Sequence, residues 1–276
     1  MKIEKLLFPT KFREGALYFL KKLLIFRKVG LKEVEILHVI EKDKVAYDIA
    51  GYLKELEEKL RAEAQKKLDE WKKEIESEVD RVVTKIVVGI PEYEILAESR
   101  HVDIVGSGKP KSGFLRRLFF GSTTLNFLAE IEKPTVLAKL EEKFLQDDRE
   151  LYERVVFATD GSAPCDRALD FLVTIAPILG KVDLLSVANT DRKEKTESFE
   201  EMINSYSEKL KACGVETEIH LIEGKPSKEI VKLADAVNAT MIVMGTTGKD
   251  KFEELVLGSA SHRVMEMAKV PITMVP

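Results

Sequence analysis

Three glycines punctuate the stretch from Met241 to Lys269. Gly245, Gly248 and Gly258 stand in the pattern Gly-x2-Gly-x9-Gly, and Ser259 and Ser261 follow at once. A strand-like run, Met241-Ile-Val-Met244, leads in, and a helix-like run from His262 to Lys269 leads out. The chemistry open to such a set is anion binding. Glycines let backbone N–H groups approach a phosphate closely, and a helix start presents unpaired N–H donors with a favourable dipole. The serines add hydroxyl donors. A second candidate, Asp160, closes the run Arg154-Val-Val-Phe-Ala-Thr159 and precedes Gly161 and Ser162. Its carboxylate can accept hydrogen bonds from a base or a ribose. The same Asp-Gly-Ser triplet is also an ordinary turn that caps a following helix. Spacing alone leaves both readings open.

Common nucleotide loops do not fit. A Walker loop needs G-x-x-x-x-G-K-[ST], whereas Asp250 follows Lys249 and the first two glycines stand too close. Gly106-Ser-Gly108 opens like a dinucleotide fingerprint, but Lys111 stands where the third glycine belongs. No Ser-His-Asp arrangement and no His/Cys metal spacing is present in the sequence, so no catalytic residue and no metal ligand is assigned. His38 and His220 fall in expected strands. His262 lies nearest the glycine stretch, and a surface helix position accounts for it.

The elements that would position these residues occur twice. Lys5-Leu-Leu-Phe-Pro-Thr10 matches Arg154-Val-Val-Phe-Ala-Thr159, and Gly89-Ile-Pro91 matches Gly224-Lys-Pro226. The run ending at Gly106 matches the run ending at Gly245, Gly121-Ser122 matches Gly258-Ser259, and Lys133-Pro134 matches Val270-Pro271. The order is the same in both halves, which predicts two copies, 1–140 and 151–276, joined by a mostly charged linker. Strands are expected near 3–9, 34–40, 82–88, 102–106 and 134–138, then near 154–159, 182–188, 215–222, 240–244 and 271–275. These Val/Ile-rich runs lack polar alternation, which suits strands covered on both faces, and helix-length segments between them make βαβ units. In copy one, Leu60, Ala64, Leu68, Trp71, Ile75 and Val79 form one apolar stripe on a highly charged helix.

Composition narrows the class. Hydrophobic residues make up 45% and charged residues 33%, yet the net charge is only −4, which argues against a nucleic acid partner held by bulk positive charge. Cys165 and Cys213 are unrelated in spacing and suit a reducing compartment. No apolar run spans a membrane and the N-terminus lacks a signal-peptide pattern, so a cytoplasmic protein is expected.

The glycine spacing together with Asp160 and a second strand ending Leu184-Leu-Ser-Val187 resembles the universal stress protein family, over nearly the whole chain as a tandem pair. The resemblance implies an α/β fold: two flavodoxin-like (adenine nucleotide alpha hydrolase-like) domains, each a five-stranded parallel sheet of order 3-2-1-4-5 flanked by helices. It implies ATP or AMP as ligand, with Mg²⁺ entering only on the phosphates. It places the strand-1 acid of the site at Asp160, with Gly161 beside it, the backbone contact to adenine at Val187, and the loop contacts to ribose and phosphates at Gly245, Gly248, Gly258, Ser259 and Ser261. Met244 could line the pocket, although a core role suits it better. The implied role is a stress-response sensor or regulator with at most slow hydrolysis. A nucleotide-independent interaction module and a slow ATP hydrolase or adenylyl-transfer enzyme are the alternatives.

Copy one departs from this pattern. Lys11 replaces Asp160, and a lysine cannot accept hydrogen bonds. Aligned on Gly106, its loop to Gly121 is longer than that from Gly245 to Gly258, with Lys109 at the second glycine. A degenerate first site is therefore expected. Lys109, Lys111, Arg116 and Arg117 as a loop for another anion or partner are the competing explanation. The apolar last strand of each copy invites edge pairing, either within the chain as a pseudo-dimer or between chains as a homodimer, and a protein partner is left unidentified.

Overall fold

The computed structural model describes residues 2–42, 54–109, 130–188, 196–246 and 259–276. Copy one contributes β1 (Lys5–Pro9), β2 (Glu33–Glu41), β3 (Arg81–Gly89), β4 (Ile104–Lys109) and β5 (Thr135–Lys139). Copy two contributes β6 (Arg154–Ala158), β7 (Lys181–Ala188), β8 (Glu216–Glu223), β9 (Met241–Gly245) and β10 (Ile272–Val275). The helices are α1 (Ala16–Leu23), α2 (Lys54–Ile75), α3 (Pro91–Ser99), α4 (Glu142–Leu145), α5 (Ala163–Thr174), α6 (Thr196–Ala212), α7 (Pro226–Ala236) and α8 (Ser259–Met267). None is long and apolar enough to cross a membrane among the described residues.

All ten strands form one sheet, ordered β3-β2-β1-β4-β5-β10-β9-β6-β7-β8. Each half is parallel and reads 3-2-1-4-5. The halves meet at an antiparallel pair, with Ile272 opposite Leu137, Thr273 opposite Val136 and Met274 opposite Thr135. The apolar strand edges that the two copies would otherwise expose thus satisfy each other. One face of the sheet carries a core that includes Phe19 of α1, Leu68 of α2, Phe171 of α5 and Ile203 of α6. The other face carries Ile95 of α3, Ile230 of α7 and Val264 of α8. Continuous Val/Ile runs fit because both faces of the central strands are covered.

Two sequence expectations change. The charged segment between the copies is not a plain linker. Phe144 of α4 is buried and meets Phe19 and Tyr18 edge-on at 5.7 and 5.9 Å. Beyond it, Tyr152 is fully buried and packs its ring on Phe26 of copy one (5.6 Å) and Phe171 of copy two (6.4 Å). One apolar layer therefore runs through both halves.

The second change concerns alignment. Ala138 lies opposite Gly108 in the β4–β5 pair, and Val275 lies opposite Gly245 in the β9–β10 pair. Gly108, not Gly106, is the counterpart of Gly245. Side-chain roles agree: Asp103 Oδ2 accepts the N–H groups of Glu4 and Lys5 (2.8 and 2.9 Å), as Thr240 Oγ1 accepts that of Arg154 (3.0 Å). Gly106 has its own reason to be glycine, since a Cβ there would lie 2.3 Å from Leu23 Cδ1. With Gly108 as the anchor, the sequence distance to Gly121 equals that from Gly245 to Gly258, and Lys111 takes the place of Gly248. The loop of copy one is altered in residue type but not in length.

Candidate functional site

The chain order around β6 creates the site. From β6 the chain moves to β7 and β8 on one side, then crosses back to β9 and β10 on the other. The crevice beyond the carboxyl ends of β6 and β9 is where such a sheet accepts ligands. Asp160, Gly161 and Val187 lie at the ends of β6 and β7, and Met244 and Gly245 lie at the end of β9.

The turn after β6 is held by its own side chains. The Thr159 N–H donates to Leu185 O (2.9 Å) and extends the ladder by one residue. The Gly161 N–H donates to Thr159 Oγ1 (3.2 Å), and the Ser162 N–H donates to Asp160 Oδ1 (3.0 Å). Gly161 has φ 68°, a left-handed conformation that favours glycine. Ser162 then starts α5, its carbonyl accepting the N–H groups of Cys165 (2.8 Å) and Asp166 (3.0 Å). The Cys165 thiol also points to Asp160 Oδ1 at 3.4 Å. Burial and the neighbouring Asp160 carboxylate push this thiol up, which keeps it a neutral donor.

Gly245 joins this turn to β9. A Cβ on Gly245 would lie 2.7 Å from Pro164 Cβ and 3.2 Å from the Cys165 nitrogen. Only a glycine lets the first turn of α5 rest on the end of β9, and that contact brings the Asp160 turn to the strand that leads into the glycine stretch. Ser261 is buried in α8, and its hydroxyl donates to Gly245 O (3.2 Å). It ties the start of α8 to the end of β9. Ser259 is the first residue of α8 and is exposed. Met244 is buried opposite Ala158 and belongs to the second core. Val187 is half-buried, beyond the last β6–β7 pair. Gly248 and Gly258 lie outside the described residues, as do Lys111, Arg116 and Arg117. At the equivalent turn of copy one, Lys11 forms an ion pair with Glu41 (2.5 Å).

One polar cluster escaped the sequence reading. Asp183, fully buried near the start of β7, takes the Arg154 guanidinium on both oxygens (2.8 and 3.2 Å) and His220 Nε2 at 2.9 Å. Burial pushes its carboxyl up, but Arg154 and His220 together hold it below the usual carboxylate range. The signal available was an aspartate inside the apolar run Val182-Asp-Leu-Leu185. The possible metal-ligand atoms of Asp183, Glu218 and His220 lie within 4.8 Å of one another. Arg154 on Asp183 and Lys181 on Glu218 (2.8 Å) already supply the positive charge. The cluster sits at the opposite end of the strands from the crevice.

Comparison with known proteins follows the same division into halves. The model of the universal stress protein family matches residues 2–139 and again 151–276. A universal stress protein of Methanocaldococcus jannaschii is 35% identical over 153 residues, 49% of this chain and 94% of that protein. A second from the same organism is 28% identical over 152 residues, covering 48% and 86%. The crystal structure of a universal stress protein from Archaeoglobus fulgidus matches with a TM-score of 0.80 at 26% identity, covering 99% of this chain and 96% of that one.

Proposed function

The chain belongs to the universal stress protein family, and we propose that it is an adenine-nucleotide-binding regulatory protein whose second copy holds one ATP or AMP. The observation that carries the reading is the contact of α5 with Gly245, which sets the Asp160 turn beside the end of β9 at the point where strand order reverses. Asp160 and the backbone at Val187 are assigned to the adenosine moiety. Gly245, Gly248, Gly258 and Ser259 are assigned to the phosphates, with Mg²⁺ carried on them. The role is binding rather than turnover, because the crevice side of the Asp160 turn offers a carboxylate engaged in its own turn rather than a poised base. Residues 1–140 and 151–276 act as a pseudo-dimer in one chain, supported by the antiparallel β5–β10 pair.

Equilibrium dialysis of ATP against wild type and Asp160→Ala tests this. Loss of a hydrogen bond to a charged group costs about 1.5–3 kcal/mol, which is roughly tenfold or more in affinity. Unchanged affinity sinks the assignment of Asp160. One observation favours a second reading. The Ser261 hydroxyl is spent on the Gly245 carbonyl, so this part of the site is satisfied without a ligand. A nucleotide-independent interaction module would show this, and it predicts no ATP-dependent rise in melting temperature.

A further inference from the structure

The turn after β1 repeats two backbone-donated bonds of the turn after β6, yet with different side chains. The Thr10 N–H donates to Leu37 O (2.8 Å), as that of Thr159 does to Leu185 O. The Phe12 N–H donates to Thr10 Oγ1 (2.9 Å), as that of Gly161 does to Thr159 Oγ1. Phe12 therefore stands where copy two has Gly161, and it has kept the left-handed backbone, with φ 55°. That conformation is disfavoured for a residue with a Cβ, and an aromatic residue keeps it only when its surroundings hold it there.

Those surroundings are specific. The Phe12 ring lies 4.7 Å from the His38 ring at an interplanar angle of 29°, a stacked pair. Trp71 of α2 meets it edge-on at 5.4 Å, and the Lys67 ammonium lies 5.4 Å from its centroid. His38 Nδ1–H donates to Thr10 O (2.9 Å), which fastens β2 to the same turn. Lys11, in the place of Asp160, spans to Glu41 at the end of β2. By sheet register, His38 stands where copy two has Ser186. A glycine, an acid and a serine in copy two are thus matched by a phenylalanine and a histidine that stack on each other and a lysine that pairs with Glu41.

We propose that Phe12 and Lys11 form a built-in plug that closes the crevice of copy one, so that the chain takes adenine nucleotide in copy two alone. This rests on the reading of copy two as a nucleotide site. The plug acts in two ways: Lys11 and Glu41 neutralise each other across the mouth, and the Phe12 ring, held by His38 and Trp71, fills the flank where copy two has no side chain.

Trp71 is the sole tryptophan of the chain and touches the plug, so its emission reports on copy one. ATP is titrated into the full chain, with bound nucleotide counted by dialysis and Trp71 emission recorded. Wild type should saturate at one ATP with Trp71 silent, and Asp160→Ala should weaken that binding roughly tenfold or more. Lys11→Asp combined with Phe12→Gly should gain a nucleotide whose binding shifts Trp71 emission saturably. A wild-type chain that binds two ATP, or an Asp160→Ala chain that keeps one while Trp71 shifts, overturns the plug. A folded double variant with no gain overturns it as well. Wild type with no ATP bound would instead overturn the reading of copy two. The double variant would then decide the plug by itself, a Trp71-reporting gain upholding it and no gain refuting it.

Discussion

Gly245→Ala isolates the contact on which the site depends. The new methyl group would lie 2.7 Å from Pro164 Cβ and 3.0 Å from the Pro164 carbonyl carbon. Neither atom belongs to a flexible side chain: one is in a ring and the other is backbone at the start of α5. Relief requires the first turn of α5 to move, and overpacking of this kind costs about 1–3 kcal/mol. In a chain of this size that is a fall in melting temperature of roughly 2–4 °C per kcal/mol. The same movement carries the Asp160 turn away from β9, so ATP affinity should fall with stability. Gly108→Ala is the internal control. It is the structural counterpart, but its methyl group would meet Leu140 Cδ1 at 2.8 Å, the far end of a side chain that can rotate aside. Its cost should stay under about 1 kcal/mol, as for tolerated volume changes, with ATP affinity unchanged. Scanning calorimetry and dialysis on the two variants measure both quantities. Equal effects at the two glycines, or no effect at Gly245, would refute the argument from the α5–β9 contact.

Two further predictions concern stability. Asp183 has a depressed pKa when folded, so its stabilisation is present above the ordinary carboxylate range and is lost as pH falls through the folded value. Urea midpoints should therefore drop between pH 7 and pH 3 more steeply for wild type than for Asp183→Asn, and parallel pH profiles would contradict the pairing with Arg154 and His220. Tyr152→Phe removes the buried hydroxyl contact to Thr273 (2.9 Å) and should cost about 1 kcal/mol, whereas Tyr152→Ala empties the layer shared by the halves and should cost about 3–5 kcal/mol. Denaturant curves for both should show one transition, and two separated transitions would show that the halves unfold independently.

The strands were readable because buried parallel strands leave long Val/Ile runs, and the repeat was readable because both halves carry them in one order. The glycine stretch and Asp160 were readable as residue types at the ends of those runs. Gly106 and Gly108 were not separable, because Gly-Ser-Gly offers two anchors two residues apart and only hydrogen-bond register chooses between them. Phe12 was invisible as a feature, since nothing in Thr-Lys-Phe announces a left-handed phenylalanine stacked on a histidine from the next strand. Nothing in its charged segment marks Phe144 as a core residue; its contacts with Phe19 and Tyr18 make it one. These features depend on long-range packing, which local propensity does not encode.

The central claim, one adenine nucleotide in the second half, is tested most directly by native mass spectrometry of the intact chain with ATP. The account predicts a mass increase of a single nucleotide, with the ATP concentration needed for it raised roughly tenfold or more in Asp160→Ala. No bound nucleotide, or a second one at saturation, would contradict it.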